Sequence, residues 1–335
     1  MRRNIRVKEI SMAIIGCGAV AEHIHMRNIR YIPEVRLKAL VDTSIERAEQ
    51  LAQKFSMRNI RTLTDYSELS KDDIDAVMIL TPPSARAKIA TDCAEAGMHI
   101  FCEKPLATTV EDAERIVECA RTSNVKLTVG FNLRFLPHFV KIQKLMRAGT
   151  LGKIWGFSAR FLTDLSAYTG VTRFQFKENG GGCLIDTGTH LIDTARWLFG
   201  DVEAVKASLR TLSYDIPVED TATVNLFLRN GICGTIFVAW YCPRSIELEV
   251  FGSEGIAYTQ QNAVYYQKQG WISQNPAVIK INDPIPTHLT ELKHFCRAIM
   301  EDREPQITGE DGIQALKIVK AAYESSETGE IVYVQ

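Results

Sequence analysis

Ile10-Ser11-Met12-Ala13-Ile14-Ile15-Gly16-Cys17-Gly18-Ala19-Val20-Ala21 is the stretch on which the fold turns. Ile10 to Ile15 is a short apolar run and reads as a buried strand. It ends in G-x-G-x-x-A. The first glycine permits a tight turn, the second lets a pyrophosphate approach the backbone, and the small third residue lets a helix pack on the strand. The free N–H groups of the helix that follows suit a phosphate. Gly16, Gly18, Ala19 and Val20 are therefore candidate cofactor contacts. Such a turn alone is a weak signal, and its context strengthens it. A second apolar run, Val35 to Val41, ends in Asp42, the acidic residue that a dinucleotide fingerprint places about 20 residues on. An acid there accepts from a ribose 2′-OH and repels a 2′-phosphate. No basic residue follows before Arg47, so NAD is expected in preference to NADP. Asp42 is also compatible with capping the next helix.

Outward from this point strands and helices alternate. Glu46 to Phe55 reads as helix, Asp75 to Leu80 as strand, Ser84 to Ala96 as helix and Met98 to Cys102 as strand. Thr109 to Thr122 then reads as helix and Val125 to Val129 as strand. This alternation predicts an α/β unit with a doubly wound parallel sheet covered on both faces. Ligands in such sheets bind beyond the strand C-terminal ends. Gly16–Ala21, Asp42, Thr81-Pro82, Glu103-Lys104 and Gly130-Phe131-Asn132 all fall there.

After about residue 130 the texture changes. A helix is expected over Arg134 to Ala148. Strands follow over Lys153 to Leu162, Val202 to Ser213, Thr221 to Leu228, Ile232 to Tyr241, Ser245 to Phe251 and Ile256 to Tyr266. Asn230-Gly231 is a hairpin signal. Consecutive strands with short turns predict a large, mostly antiparallel open sheet. Helices are expected over Leu289 to Met300 and Gly309 to Ser326. The division this suggests is a dinucleotide-binding domain over 1–130 and a substrate-binding and oligomerisation domain over 131–335.

Bulk properties exclude several classes. Lys and Arg (39) balance Asp and Glu (40), which argues against a dedicated nucleic-acid or membrane-surface binder. The eight cysteines form no Cys-x-x-Cys pair, so no zinc site is expected and a reducing compartment is. Met1-Arg2-Arg3-Asn4 before an apolar run resembles a secretory or twin-arginine signal. That run is needed as the first strand, and the chain is expected to be cytoplasmic.

Two further stretches carry chemistry. Cys102-Glu103-Lys104-Pro105-Leu106 puts a lysine at the mouth of a strand, where it is either a solvated turn residue or a site residue. Gly180-Gly181-Gly182-Cys183-Leu184-Ile185-Asp186-Thr187-Gly188-Thr189-His190-Leu191-Ile192-Asp193 spaces Asp186, His190 and Asp193 at i, i+4 and i+7 on one helical face. A histidine between carboxylates has a reason to be oriented and tuned for proton transfer. The competing reading is an Asp186 cap and a core histidine.

These motifs, with Thr81-Pro82-Pro83 and Asn132-Leu133-Arg134-Phe135, resemble the Gfo/Idh/MocA family of NAD(P)-dependent sugar and inositol oxidoreductases across both halves of the chain. The resemblance implies that Lys104 contacts both cofactor and reacting hydroxyl, and that Asp186 and His190 are the catalytic carboxylate and acid/base. It implies that Glu103 and Asn132 lie near the nicotinamide end. It further implies a sugar or cyclitol substrate and a homo-oligomer, dimer or tetramer, assembled through the open sheet. One departure is visible: Arg86 stands where members often carry a histidine. Tyr168 and Arg173, in the segment Phe161–Lys177, are candidate substrate contacts or plain loop residues. A glycosidase using NAD transiently and a non-catalytic NAD-binding sensor remain alternatives.

Overall fold

The computed structural model describes residues 9–166, 180–261, 263–269, 276–281 and 286–335. The chain divides into two compact units, Met1–Phe131 with Ile285–Ile313 and Asn132–Pro284 with Gln314–Gln335.

The first unit holds six parallel strands: β1 (Ile10–Ile15), β2 (Val35–Val41), β3 (Arg61–Leu63), β4 (Ala76–Ile79), β5 (His99–Cys102) and β6 (Leu127–Val129). Their order is β3-β2-β1-β4-β5-β6. All four residues of β4 are buried, as expected of a strand covered on both faces. The topological switch point lies between β1 and β4, which pair in register from Met12↔Ala76 to Ile15↔Ile79.

The sequence reading assigns 131–335 to one domain, but Thr287–Met300 packs as a helix in the first unit. Leu289, Leu292, Phe295, Cys296 and Ile299 recur at helical spacing and join Ile10, Met12, Ile14 and Leu40 in one buried cluster. A local pattern shows that this helix has an apolar face. It does not show which core the face meets.

The second unit is built on nine strands: β7 (Ile154–Asp164), β8 (Val202–Arg210), β9 (Thr221–Leu228), β10 (Cys233–Ala239), β11 (Tyr241–Gly252), β12 (Gly255–Gln260), β13 (Ala263–Lys268), β14 (Ala277–Lys280) and β15 (Val332–Tyr333). The order is β14-β13-β12-β11-β7-β10-β9-β8-β15. All pairs are antiparallel except β7 with β10, which run parallel from Gly156↔Cys233 to Leu162↔Ala239. The run read as one strand over Ile256–Tyr266 is two strands, broken by a turn in which Gln261 has φ +49°. Burial alternates along the central strands. Val224 and Leu226 of β9 and Ile236 and Val238 of β10 are buried, while Asn225 and Cys233 are exposed. Phe157 stacks on Phe199 of the helix Thr189–Phe199 at 4.2 Å between ring centres. The other sheet face exposes Ser158, Arg160, Asn225, Cys233 and Gln260.

Candidate active site

In the first unit the site begins at the glycine turn. Gly16 has φ +97°, and a Cβ there would lie 2.9 Å from Leu80 C and Thr81 N, so only glycine fits between β1 and the end of β4. A Cβ on Gly18 would meet no described atom within 4 Å. The packing of the unit does not require glycine there, and the open space is what a close-approaching pyrophosphate needs. Ala19 and Val20 open the helical segment after the turn. Its next turn, Ala21–His25, is widened, with the Met26 N–H donating to Ala21 O. Such wide turns concentrate at functional sites.

Asp42 is 7 % exposed. Its Oδ2 accepts from the Cys17 N–H at 2.8 Å and its Oδ1 from the Ser44 N–H at 3.0 Å, tying the glycine turn to the end of β2. The helix Ile45–Lys54 is capped by Ser44, whose side chain accepts from Arg47 N. The capping alternative for Asp42 thus passes to its neighbour. Arg47 reaches back to Asp42 Oδ1 at 3.0 Å, with its own side chain more than half exposed. Thr81 presents a buried hydroxyl with no hydrogen-bond partner among the described residues. Pro82 precedes the helix Pro83–Glu95 and caps it without a side-chain bond. An open glycine turn, an acid at the end of β2 and an unmatched hydroxyl at the end of β4 fit a dinucleotide.

Glu103 and Lys104 follow β5. Glu103 Oε1 lies 2.9 Å from His25 Nε2, and its Oε2 accepts from the Lys104 N–H at 3.2 Å. Burial pushes the Glu103 carboxyl up, but the His25 hydrogen bond and the charges of His25, Lys104 and His288 outweigh it and hold it at about 2. Glu103 is therefore held as a carboxylate near neutral pH. Gly130 lies flat against it, since a Cβ there would come within 3.1 Å of Glu103 Oε2. Arg86 is buried, donating from Nε to Thr81 O at 3.0 Å and from one terminal nitrogen to Glu103 O at 2.7 Å and to Pro105 O. The Lys104–Pro105 peptide bond is cis. His25 gave no sequence signal beyond its place after the glycine turn.

The second unit begins at Asn132, buried in the single turn Asn132–Phe135. Here the triple glycine finds its reason. Gly181 has φ +141°, and its Cβ would fall 1.9 Å from Tyr323 Oη; a Cβ on Gly182 would fall 2.0 Å from Glu219 O. This lets Glu219 close on the backbone. Its carboxylate accepts from Gly182 N at 3.0 Å, Leu184 N at 3.0 Å and Tyr323 Oη at 2.7 Å. Two N–H groups at the start of a helix are thereby satisfied by an acid. Burial nevertheless leaves the Glu219 carboxyl above its ordinary range, outweighing those hydrogen bonds.

Asp186 sits in a second widened turn, Leu184–Gly188, and His190 in the first turn of the helix Thr189–Phe199. Trp240 Nε1 donates to Thr187 Oγ1 at 2.9 Å, fixing that wide turn from β10's end. His190 is 9 % exposed, with its ring 6.1 Å from that of Phe161. Asp193, the third residue of the expected face, is fully buried and taken by Arg134 in a two-point pair at 2.8 and 2.5 Å. The motif thus separates into a half-buried acid, a histidine, and a structural ion pair. The sequence gives no separate signal for Glu219 or Tyr323, and names Arg134 only within the Asn132–Phe135 motif, though the glycine run marks where something must press on the backbone. Tyr168 and Arg173 lie outside the described residues. Among the described residues no cluster of three or more His, Cys, Asp or Glu could hold a metal ion, and no helix is long and apolar enough to cross a membrane.

A six-stranded parallel sheet with a dinucleotide-type glycine turn, followed by a unit on a nine-stranded open sheet, is the architecture of two-part NAD-linked oxidoreductases. Residues 10–131 match the oxidoreductase family with an NAD-binding Rossmann fold, and residues 139–258 match the GFO/IDH/MocA C-terminal domain. The chain is 30 % identical to the uncharacterised oxidoreductase YrbE of Bacillus subtilis, over 98 % of this chain and 97 % of that one. It is 29 % identical to myo-inositol 2-dehydrogenase of Thermotoga maritima, over 94 % and 96 %. Levoglucosan dehydrogenase in complex with NADH superposes with a TM-score of 0.88 at 27 % identity, over 98 % and 99 %. The chain belongs to the Gfo/Idh/MocA family.

Proposed function

We propose that this oxidoreductase prefers NAD and moves hydride between the cofactor and a ring carbinol or ketone of a sugar, cyclitol or related polyol. The similarity to a myo-inositol dehydrogenase along almost the whole of both chains carries the substrate class. Bound NAD supplies hydride acceptance at nicotinamide C4. His190 takes the hydroxyl proton, or returns it in the reverse direction, and Asp186 holds or tunes it. Lys104, as a cation, hydrogen-bonds the same oxygen and favours the alkoxide as it develops. Glu103 and Asn132 border the nicotinamide end, Thr81 and Pro82 line the cofactor's path, and Tyr168 and Arg173 contact substrate. Residues 1–130 are read as the cofactor domain and 131–335 as the substrate and oligomerisation domain, with the helix Thr287–Met300 packed in the first unit.

The test is absorbance at the reduced-nicotinamide band, with NAD and then NADP, across sugars, cyclitols, sugar acids and their keto forms. A substrate-dependent change is expected with NAD. Tight NAD binding with no net change across the panel would remove the dehydrogenase reading in favour of a glycosidase using transient oxidation, or a sensor.

Asp42 carries the coenzyme preference. Asp42→Ala should weaken NAD about tenfold, close to 1.4 kcal/mol, and narrow the gap to NADP, because Arg47 then faces a 2′-phosphate without its carboxylate partner. Dissociation constants for NADH and NADPH from reduced-nicotinamide fluorescence decide this. An unaltered NAD-to-NADP ratio would reduce Asp42 to a brace between Cys17 and Ser44.

The exposed face of the nine-stranded sheet is proposed to join copies of the chain. Its Arg160–Glu247 ion pair and the stacked Tyr258 and Tyr265, 5.0 Å apart, give a flat, mixed surface. Light scattering should return twice or four times the mass of one chain, and the mass of a single chain would remove the proposal. The protein is expected to work in the cytoplasm.

A further inference from the structure

We propose that Arg86 is a positioning residue that sets the direction of Lys104, an inference that rests on the reading of Lys104 as a site residue. Three observations converge. Arg86 is only 5 % exposed, so a permanent charge has been taken out of water. Burying a guanidinium is unfavourable unless its donors are matched. Here they are matched by backbone: Nε to Thr81 O at 3.0 Å, and one terminal nitrogen to both Glu103 O, at 2.7 Å, and Pro105 O. Glu103 and Pro105 are the residues on either side of Lys104. One planar group therefore grips the chain before and after the lysine.

The Glu103 side chain completes the grip. His25 Nε2 holds its Oε1 at 2.9 Å, and its Oε2 takes the Lys104 N–H at 3.2 Å. The lysine backbone is thus fixed from the Arg86 side through carbonyls and from the His25 side through a carboxylate. The bond to Thr81 adds the end of β4 to the same rigid piece, so the cofactor-facing loop and the lysine loop cannot shift independently. Arginine suits this role because its five donors lie in one plane. A lysine ammonium is a point donor on a flexible stem and cannot span three carbonyls in that geometry.

A double-mutant cycle tests the inference with the full-length protein, using NAD and whichever panel polyol reacts, and myo-inositol as the reference compound. Arg86→Lys should lower kcat by about 100-fold, the scale of a reacting group misplaced by about 1 Å, with the NAD dissociation constant nearly unchanged. Arg86→Lys, and likewise Arg86→Ala, made in both the native and the Lys104→Ala backgrounds should add no further loss in the second, because a group acting through Lys104 has nothing left to position. A merely structural Arg86 would lower both backgrounds alike, and that result overturns the proposal. A second readout needs no turnover. Acylation of Lys104 by acetic anhydride, followed by peptide mass spectrometry with and without NAD, should run several-fold faster in Arg86→Lys, and an unaltered rate overturns the inference. If Arg86→Ala does not fold, Arg86→Lys decides alone; if neither folds, Arg86 holds the fold rather than the lysine, and the proposal fails. Near-normal turnover in Lys104→Ala sinks the reading of the site itself. An impaired Lys104→Ala beside a normal Arg86→Lys sinks only the role of Arg86.

Discussion

Lys104→Ala and His190→Ala should each lower turnover by about 10²–10⁴-fold while NAD binds within a few-fold of its normal strength. The expectation follows from what each group is asked to do. A cation beside an oxygen that becomes an alkoxide stabilises charge that exists only as the reaction proceeds, so its loss falls on kcat. A base that takes the hydroxyl proton contributes over a similar range. Neither role is needed to hold the dinucleotide, because Lys104 is one candidate cofactor contact among many, the glycine turn, Asp42, Thr81 and Pro82 included. Lys104→Arg should not restore the rate, because a planar guanidinium does not replace a point donor. The double variant should lose less than the product of the single losses, since residues acting on one oxygen are not additive. Steady-state kinetics with NAD titrations by fluorescence give all of these numbers. Near-normal turnover in both single variants would overturn the assignment.

Gly182→Ala should destabilise the second unit by about 3 kcal/mol, a large effect for one methyl group. The added carbon would fall 2.0 Å from Glu219 O, and that carbonyl already accepts from Cys183 N at 2.8 Å. A backbone carbonyl held by that hydrogen bond cannot step away without breaking it. Gly181→Ala should be comparably damaging for a different reason. Its φ of +141° disfavours any side chain, and the obstacle is the Tyr323 ring end. The two are separable by thermal unfolding. Tyr323→Leu should recover part of the loss in Gly181→Ala and none in Gly182→Ala. Recovery in both would mean that the Glu219 carbonyl moves freely, and the account of the triple glycine would fail. The functional consequence is direct, because Glu219 fastens the start of the helical segment that carries Asp186 and His190.

The parallel sheet was legible because its signals are local. Apolar runs of strand length, a glycine turn after the first and helical periodicity between them need no partner to be recognised. The strand ends were legible for the same reason, and they collect Gly16, Asp42, Thr81 and Lys104 at one edge of the first unit. The resemblance carried in Glu103-Lys104-Pro105 and in the Gly180–Asp193 run extended this to the family, and the comparisons show that family. Composition and periodicity alone would have stopped at an α/β protein with a dinucleotide turn.

What the tertiary structure decided are the pairings between residues far apart in the chain. Glu219 and Tyr323 meet 104 positions apart, and Arg134 and Asp193 meet 59 apart. His25 reaches Glu103 across 78. The helix Thr287–Met300 shows an amphipathic face in its sequence, yet only packing assigns that face to the first unit. The parallel pairing of β7 with β10 is of the same kind. Periodicity records which face of an element is apolar, because that depends on neighbours three or four positions away. It does not record which distant carboxylate fills a gap left by a glycine, because that partner is chosen by shape and charge only once the chain has closed on itself.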